Sequence, residues 1–232
     1  MPGFDLQYVL ISILVLTVSL STHEYAHARM AMALGDDTAE KSGRLTLNPL
    51  AHLELLGTLA FLLLRIGWAK PVPVNPSKLE KAKDAEHGMM LVSIAGPLSN
   101  LLVAFIAAFL YNLTRVLGYF LLQRPNINVD TTVFVLNIFV TIFLAFYYSN
   151  VSLAIFNLIP LPPLDGSKIL AFFLPSKASY YMYKYQRYIS FAMILLFIFA
   201  GSYIAKFMSM VSKPFYYVLM RPWEILANVI IN

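Results

Sequence analysis

The sequence YVLISILVLTVSLSTHEYAHA, residues 8–28, joins a long apolar run to a short cluster of ionisable side chains. Its first thirteen residues carry no charge, which is typical of a membrane-spanning helix. Positions i and i+4 share one face of an α-helix, so His23 and His27 are predicted to reach one metal ion together. Glu24 is adjacent to His23, so a metal ion held by the two histidines would lie next to a carboxylate that can act as a general base.

The composition of the whole chain supports membrane insertion. Of its 232 residues, 59% are hydrophobic and 12% are charged, against about 45–50% and about 25% in soluble domains. The net charge of +5 is modest, so no nucleic-acid partner is expected. The chain has no cysteine, so a metal ion would have to be held by histidines and carboxylates.

Apolar blocks along the chain predict an all-α polytopic membrane protein with four to six transmembrane helices. The first helix is expected over residues 5–34, with Asp5 as its N-cap and Gly35 as its stop. A block at 55–64 is too short to span and is predicted to be re-entrant near the active site. Further spans are expected at residues 89–122 (kinked at Gly96-Pro97), 131–158 and 189–208, and the tail at 211–232 either spans or lies in the interface.

Two polar segments are predicted to be extended rather than helical. Residues 43–49, GRLTLNP, are expected to form a short strand or β-hairpin. In residues 67–76, GWAKPVPVNP, three closely spaced prolines disfavour a helix and favour an extended loop.

Basic residues predict the orientation of the chain in the cell membrane. The residues before the first span contain no lysine or arginine, and the turn at 123–130 contains only Arg124. The loops after the first and third spans are richer in basic residues, so they are predicted to be cytoplasmic. The N-terminus is then outside, and the active site lies toward the cytoplasmic side.

A third metal ligand is sought because catalytic zinc usually takes three protein ligands and one water. Asp165 is the best candidate, since it lies in a proline-rich break at the end of a span and a carboxylate at membrane depth is costly unless paired. Alternatively, Asp165 caps a short helix at 166–174. His52 and Glu54 are alternative ligands, although an interfacial role or a supporting hydrogen bond suits them better.

Glu24 and Asn157 are the predicted catalytic side chains. Glu24 is placed to take a proton from the attacking water and to pass it to the leaving amine. Asn157 is placed to donate its side-chain N–H to the oxyanion. Alternatively, Asn157 only satisfies carbonyls that are freed near Pro160.

Together these segments resemble the site-2 proteases, which are zinc intramembrane metalloproteases. The paired signature consists of HEYAH at residues 23–27 and NLIPLPPLDG at residues 157–166. Further agreement comes from residues 43–49, from residues 67–76, and from AGPLSN at residues 95–100. The resemblance covers most of residues 15–175 and is to the small bacterial branch, without PDZ or CBS domains. Glu54 departs from the aspartate that small members tend to carry.

The resemblance implies one zinc ion per chain, bound by His23, His27 and Asp165, with Glu24 as base and Asn157 at the substrate carbonyl. We expect a single domain over residues 1–232, with a core at 5–175 and C-terminal helices at 176–232. Family members cut transmembrane segments of other membrane proteins, so the expected partners are such a substrate and the lipid bilayer. The oligomeric state stays undetermined.

Substrate binding is predicted from the need to unwind a helix before its peptide bonds can be cut. An extended segment near the site can hold the unwound chain by β-pairing. The candidates are residues 43–47, through Gly43 and Leu45, and residues 68–75, through Trp68 and Pro71. The rival functions are a zinc carrier and a pseudoprotease scaffold. A zinc carrier would need metal ligands spread along a translocation path. A pseudoprotease scaffold would not need the carboxylate of Glu24.

Overall fold

The structure is a computed structural model that describes residues 6–54 and 70–231. The described elements are helical. Within these two ranges there is no β-strand, only an isolated β-bridge at Leu53. The α-helices are α1 (Leu6–Ala33), α2 (Thr38–Lys41), α3 (Pro49–His52), α4 (Ala85–Leu122), α5 (Val129–Asn157), α6 (Asp165–Phe173), α7 (Ser176–Lys184), α8 (Gln186–Phe215) and α9 (Arg221–Ile231). A 3-10 helix covers Pro76–Lys78, and a π-helical turn, Tyr216–Met220, joins α8 to α9.

Three of these helices are long and apolar enough to cross a membrane. They are Val9–Ala33, Ala85–Leu122 and Val129–Asn157. Two further apolar stretches, Gln186–Leu196 and Phe199–Ile231, meet at an angle of 87°, and they add a fourth span if the bent pair crosses as one. The all-α membrane architecture is confirmed, whereas the count of four to six helices is not.

Helix α1 ends where the sequence predicts. Gly35 has a φ of +111°, which a glycine adopts without steric cost. The N–H of Asp36 donates to the carbonyl of Ala31 at 2.9 Å, and the N–H of Gly35 donates to that of Met32 at 3.1 Å. This is the Schellman pairing that closes a helix C-terminus, and it turns the chain at the end of α1.

The core forms where α4 and α5 pack on each other and on the C-terminal helices. Small side chains on α4 let the helix backbones approach closely, as in membrane bundles. The buried cluster consists of Ala104, Ala107, Ala108, Tyr147, Val151, Ile155 and Met220. Helix α1 lies against both α4 and α5, so residues of α1 meet side chains from two other spans.

The two predicted extended segments have different outcomes. Residues 43–48 form an irregular turn between α2 and α3, so the β-hairpin is not confirmed. Residues 70–75 have no regular secondary structure, as the prolines predict. The re-entrant prediction at 55–64 and the start of the proline-rich loop at 67–69 lie outside the described residues.

Candidate metal centre

Three potential metal ligands from distant parts of the chain meet in one place. Nε2 of His23 lies 3.0 Å from Nε2 of His27, and both nitrogens lie 3.1 Å from Oδ2 of Asp165. All three residues are buried. Within residues 6–54 and 70–231 this is the one group of three or more such side chains that could hold a metal ion.

The second nitrogen of each imidazole shows that the three facing atoms fit a cation. Nδ1 of His27 donates to the backbone carbonyl of Val92 at 2.7 Å, and Nδ1 of His23 donates to Oδ1 of Asn100 at 2.7 Å. In neutral imidazoles both Nε2 atoms then carry lone pairs, which point at each other and at the carboxylate. The two lone pairs and the carboxylate repel one another unless a cation lies between them. The distances of 3.0–3.1 Å between the three atoms are close to the ligand–ligand distance of about 3.3–3.4 Å in a tetrahedral zinc site.

Asp165 is the first residue of α6 and does not cap it. Leu164 holds the N-cap position, with no side-chain hydrogen bond, so the alternative in which Asp165 caps the helix is wrong. A Cβ on Gly166 would lie 2.5 Å from the carbonyl oxygen of Ile159, so only glycine lets the chain fold back onto the end of α5 here. That fold-back directs the carboxylate of Asp165 at the histidines of α1.

The charge of Asp165 is set by its surroundings. Burial raises the pKa of this carboxyl, but a proton on Nε2 of His23 or His27, in the place a cation would take, and the nearby charge of Lys168 lower the pKa below its ordinary value. Nζ of Lys168 lies 3.5 Å from Oδ1 of Asp165. The lowered pKa favours the ionised carboxylate, which is the form that binds a metal.

Gly96 of α4 makes room for both imidazoles. A Cβ at this position would lie 2.5 Å from Cε1 and Nε2 of His27 and 2.6 Å from Cε1 of His23. The two rings are perpendicular, with centroids 4.5 Å apart, and rest against this bare stretch of backbone. The α1–α4 contact is thus shaped around the two potential metal ligands of α1.

Glu24 is fixed by the proline-rich segment, residues 70–75, which forms a strap over the site. The backbone N–H of Val72 donates to Oε2 of Glu24 at 2.8 Å. Lys70 anchors one end of the strap, since its N–H donates to the carbonyl of His52 at 2.9 Å and its carbonyl accepts from Arg44 at 2.5 Å. The N–H of Asn75 anchors the other end by donating to Oδ2 of the buried Asp36 at 2.7 Å.

The metal-binding group lines a pocket of about 270 Å³. Asn157 is part of the lining, and its Nδ2 donates to the carbonyl of Leu153 at 3.0 Å. Leu153 lies within α5, so this bond is not to one of the carbonyls freed near Pro160 that the alternative named. The place of Asn157 in the wall keeps it near the carboxylate and imidazoles. The lining residues are His23, Glu24, His27, Pro71, Val72, Val74, Met89, Val92, Asn157, Pro163, Asp165 and Lys168.

Other predicted site residues lie elsewhere. Gly43 is exposed and Leu45 half-buried, and neither is part of the pocket wall. Trp68 lies outside the described residues. His52 is buried away from the metal-binding group and donates from Nε2 to the carbonyl of Thr46 at 2.8 Å, so it supports the turn that carries Arg44. Glu54 is also outside that group.

Several residues that contribute to the site have no predicted role. Asn100 lies in the AGPLSN segment, and Asn150 lies on the apolar helix α5. Both side chains are fully buried, and a buried amide inside a membrane helix is a signal of function that the sequence displays. Lys168, three residues after Asp165, stands at the pocket wall.

Comparisons with known proteins agree on one family. Residues 11–200 match the family described as "Peptidase family M50". "Putative zinc metalloprotease YwhC" of Bacillus subtilis (strain 168) is 40% identical over 193 residues, which cover 83% of this chain and 82% of that protein. "Putative zinc metalloprotease Rip2" of Mycolicibacterium smegmatis is 34% identical over 166 residues, covering 69% and 57%. No solved structure matches the chain.

Proposed function

Because this chain belongs to peptidase family M50, the site-2 protease family, we propose that it is a zinc-dependent intramembrane endopeptidase. Its substrates are other membrane proteins, which it cuts in or near their transmembrane segments to release a regulatory part. One observation carries the proposal: His23, His27 and Asp165 converge in the same pocket as Glu24, at the end of a helix long enough to span a membrane.

The proposed roles follow from which atoms are already engaged. His23, His27 and Asp165 bind one zinc ion through the three atoms that face each other. When bound, zinc supplies Lewis-acid activation of water and of the scissile carbonyl. Glu24 accepts the proton of the attacking water on its carboxylate, whose Oε2 stays oriented by the N–H of Val72. The same carboxylate then gives that proton to the amine nitrogen as the C–N bond breaks.

Asn157 is proposed to stabilise the oxyanion. Its Nδ2 now donates to Leu153 within its own helix. A rotation of the side chain away from that carbonyl would turn the N–H toward the pocket that Asn157 lines. Donors aimed at the developing negative charge contribute about 3–4 kcal/mol in comparable sites.

The strap is proposed to hold the unwound substrate, in preference to residues 43–47, because it alone of the two segments lines the pocket. Each residue before a proline is restricted to extended conformations, which applies to Lys70, Val72 and Asn75. In an extended chain, successive backbone groups point to opposite edges. The N–H groups of Lys70 and Val72 bond to α3 and α1. Pro71 and Pro73 are exposed, so we infer that their carbonyls face outward.

That outward edge can accept hydrogen bonds but offers no donor at its two prolines, since proline has no N–H. A substrate segment that pairs with the carbonyls of Pro71 and Pro73 must therefore present N–H groups two residues apart.

The anchoring of the strap gives a measurable expectation. Arg44→Met removes the hydrogen bond to the carbonyl of Lys70, and a bond to a charged donor contributes about 1.5–3 kcal/mol. We expect peptide cleavage to fall about tenfold or more while zinc content stays at one per chain. Cleavage is measured with a reconstituted single-span substrate, and zinc content is measured by elemental analysis. Arg124→Met, at an exposed turn, is the control. Unchanged cleavage in Arg44→Met would exclude the strap from substrate handling.

Zinc dependence tests the proposed activity directly. Protein reconstituted in liposomes with a single-span substrate is expected to cleave it, to stop when a chelator strips the metal, and to recover with added Zn²⁺. Asp165→Asn is expected to bind much less zinc, because the amide has lost the charge that the cation needs. Asp130→Asn, on an exposed first turn of α5, is the matched control. Cleavage that survives complete metal removal would overturn the proposal.

We further propose that the chain is one catalytic domain in the cell membrane, with core residues 5–175 and C-terminal helices 176–232. Its N-terminus is outside and its pocket opens toward the cytoplasm, since basic residues concentrate in the loops that flank the pocket. The chain has no cysteine. Labelling of the single thiol in Lys41→Cys by a membrane-impermeant reagent tests this orientation, and labelling from outside would reverse it.

The rival functions have less support. A zinc carrier needs ligands along a path, but within the described residues the potential ligands gather at one point. A pseudoprotease scaffold would not need the carboxylate of Glu24 to be oriented over the pocket by Val72.

A further inference from the structure

Three polar side chains are completely buried where three membrane helices meet. They are Ser19 of α1, Asn100 of α4 and Asn150 of α5, and each is 0% exposed. None belongs to the proposed catalytic group. Burial of such groups is unfavourable unless each of them is hydrogen-bonded. Their hydrogen-bond partners therefore indicate their role.

The three side chains form a continuous relay that ends on a metal ligand. Nδ2 of Asn150 donates to Oγ of Ser19 at 2.8 Å. Oδ1 of Asn150 accepts from Nδ2 of Asn100 at 2.8 Å. Oδ1 of Asn100 accepts from Nδ1 of His23 at 2.7 Å. The relay therefore reaches from α5 through α4 to the imidazole on α1.

Backbone carbonyls fix the direction of this relay. Nδ2 of Asn150 also donates to the carbonyl of Phe146 at 2.8 Å, and Nδ2 of Asn100 lies 3.4 Å from the carbonyl of Ser19. A carbonyl can only accept a hydrogen bond. Neither amide can rotate by 180° without bringing its own oxygen against a carbonyl oxygen, so Oδ1 of Asn100 is held toward His23.

We propose that the Asn150–Asn100 relay is a positioning device that fixes the tautomer of His23, so that its Nε2 is free to bind metal. The inference rests on the proposed zinc site and adds residues that touch neither the metal nor the substrate. A proton on Nδ1 leaves the lone pair of a neutral imidazole on Nε2, the atom that faces His27 and Asp165.

The role of Asn150 is to keep Asn100 from rotating. Without the acceptor Oδ1 of Asn150, only the weaker 3.4 Å contact with the carbonyl of Ser19 opposes rotation of the Asn100 amide, so its Nδ2 can turn toward His23. An N–H donor in that place favours the tautomer with its proton on Nε2, where the proton occupies the position of the metal. Loss of the partners that orient metal-binding histidines typically lowers metal affinity about 10–100-fold.

The first measurement compares zinc affinity in two buried asparagine variants of the full-length protein in detergent. Asn150→Ala is expected to raise the zinc dissociation constant about 10–100-fold, measured by competition with a chromophoric chelator. Asn112→Ala is the control, because Asn112 is also buried and also donates to a backbone carbonyl, that of Ala108 at 3.0 Å. Its zinc affinity is expected to stay within about twofold of wild type. Asn150→Leu, which fills the volume left by the amide, replaces the alanine variant if that variant does not fold.

A double variant separates positioning from general loosening of the bundle. Asn100→Asp presents an oxygen to His23 in either rotamer, so it cannot adopt the harmful orientation. In that background Asn150→Ala should change the zinc dissociation constant by less than about threefold. Additive losses would show that Asn150 acts only through packing and would overturn the inference.

The tautomer itself gives a readout that does not depend on activity. The chain has four histidines, so nitrogen NMR of the metal-free, histidine-labelled protein is tractable. For His23 we expect a protonated Nδ1 in wild type and in Asn112→Ala, and a larger share of protonated Nε2 in Asn150→Ala. An unchanged tautomer, with zinc affinity retained in Asn150→Ala, overturns the relay. Failure of the wild-type chain to bind zinc at all overturns the proposed zinc site instead.

Discussion

Replacement of Glu24 by glutamine is expected to lower peptide cleavage by about 10²–10⁴-fold while zinc binding persists. The amide cannot take the proton of the attacking water, so the step that breaks the peptide bond loses its base. The amide oxygen can still accept the hydrogen bond from Val72 that now ends on Oε2. The strap and the three metal-binding side chains should therefore keep their positions.

The measurement pairs two assays on the same preparation. Cleavage of a reconstituted single-span substrate reports the catalytic step, and elemental analysis reports zinc per chain. Glu80→Gln removes an exposed carboxylate in the turn before α4 and should match wild type in both assays. Cleavage that survives in Glu24→Gln would mean that another group is the base. Zinc lost together with cleavage would mean that Glu24 helps to hold the metal.

Gly96→Ala is expected to destroy the proposed metal site without replacing any of its proposed ligands. The added methyl group would lie 2.5–2.6 Å from atoms of His23 and His27, which is shorter than van der Waals contact allows. Either the imidazoles of His23 and His27 rotate away from Gly96, or α1 moves away from α4. Both outcomes move the Nε2 atoms away from the carboxylate of Asp165. Overpacking of this kind typically destabilises a protein by about 1–3 kcal/mol. Zinc per chain and cleavage should both fall below one tenth of wild type.

Gly201→Ala is the matched control for this variant. Apart from the adjoining backbone of its own helix, no atom of the described residues lies within 4 Å of the position that a Cβ on Gly201 would take. Alanine is favoured over glycine in helices by up to about 1 kcal/mol. The control should keep full zinc content and an equal or higher thermal midpoint in detergent. A Gly96→Ala protein with normal zinc content would show that the α1–α4 contact is looser than the structure has it.

Features that depend on local sequence could be predicted without the structure. The end of α1 at Gly35 follows from one residue that tolerates positive φ. The shared face of His23 and His27 follows from helical periodicity alone. The irregular backbone of residues 70–75 follows from prolines, which donate no N–H and disfavour a helical conformation in the residue before them.

Features that depend on how helices meet could not be predicted in the same way. Asn100 and Asn150 read as isolated polar residues until packing joins them to His23. Gly96 suggests a kink beside Pro97 in the sequence, but its contacts show that it is the surface on which two imidazoles rest. The fourth predicted span, 189–208, falls within a longer helix, Gln186–Phe215, whose bend no local pattern indicated.

The two prolines of the strap have a consequence for molecules that meet in the same membrane. An open strand edge normally invites an identical edge to pair with it, which leads to aggregation. In the orientation proposed above, two copies of this strap would bring the carbonyl oxygens of Pro71 and Pro73 against the same oxygens of the other copy. The exposed edge therefore disfavours pairing with a second copy of the strap and remains available to a chain that offers N–H donors.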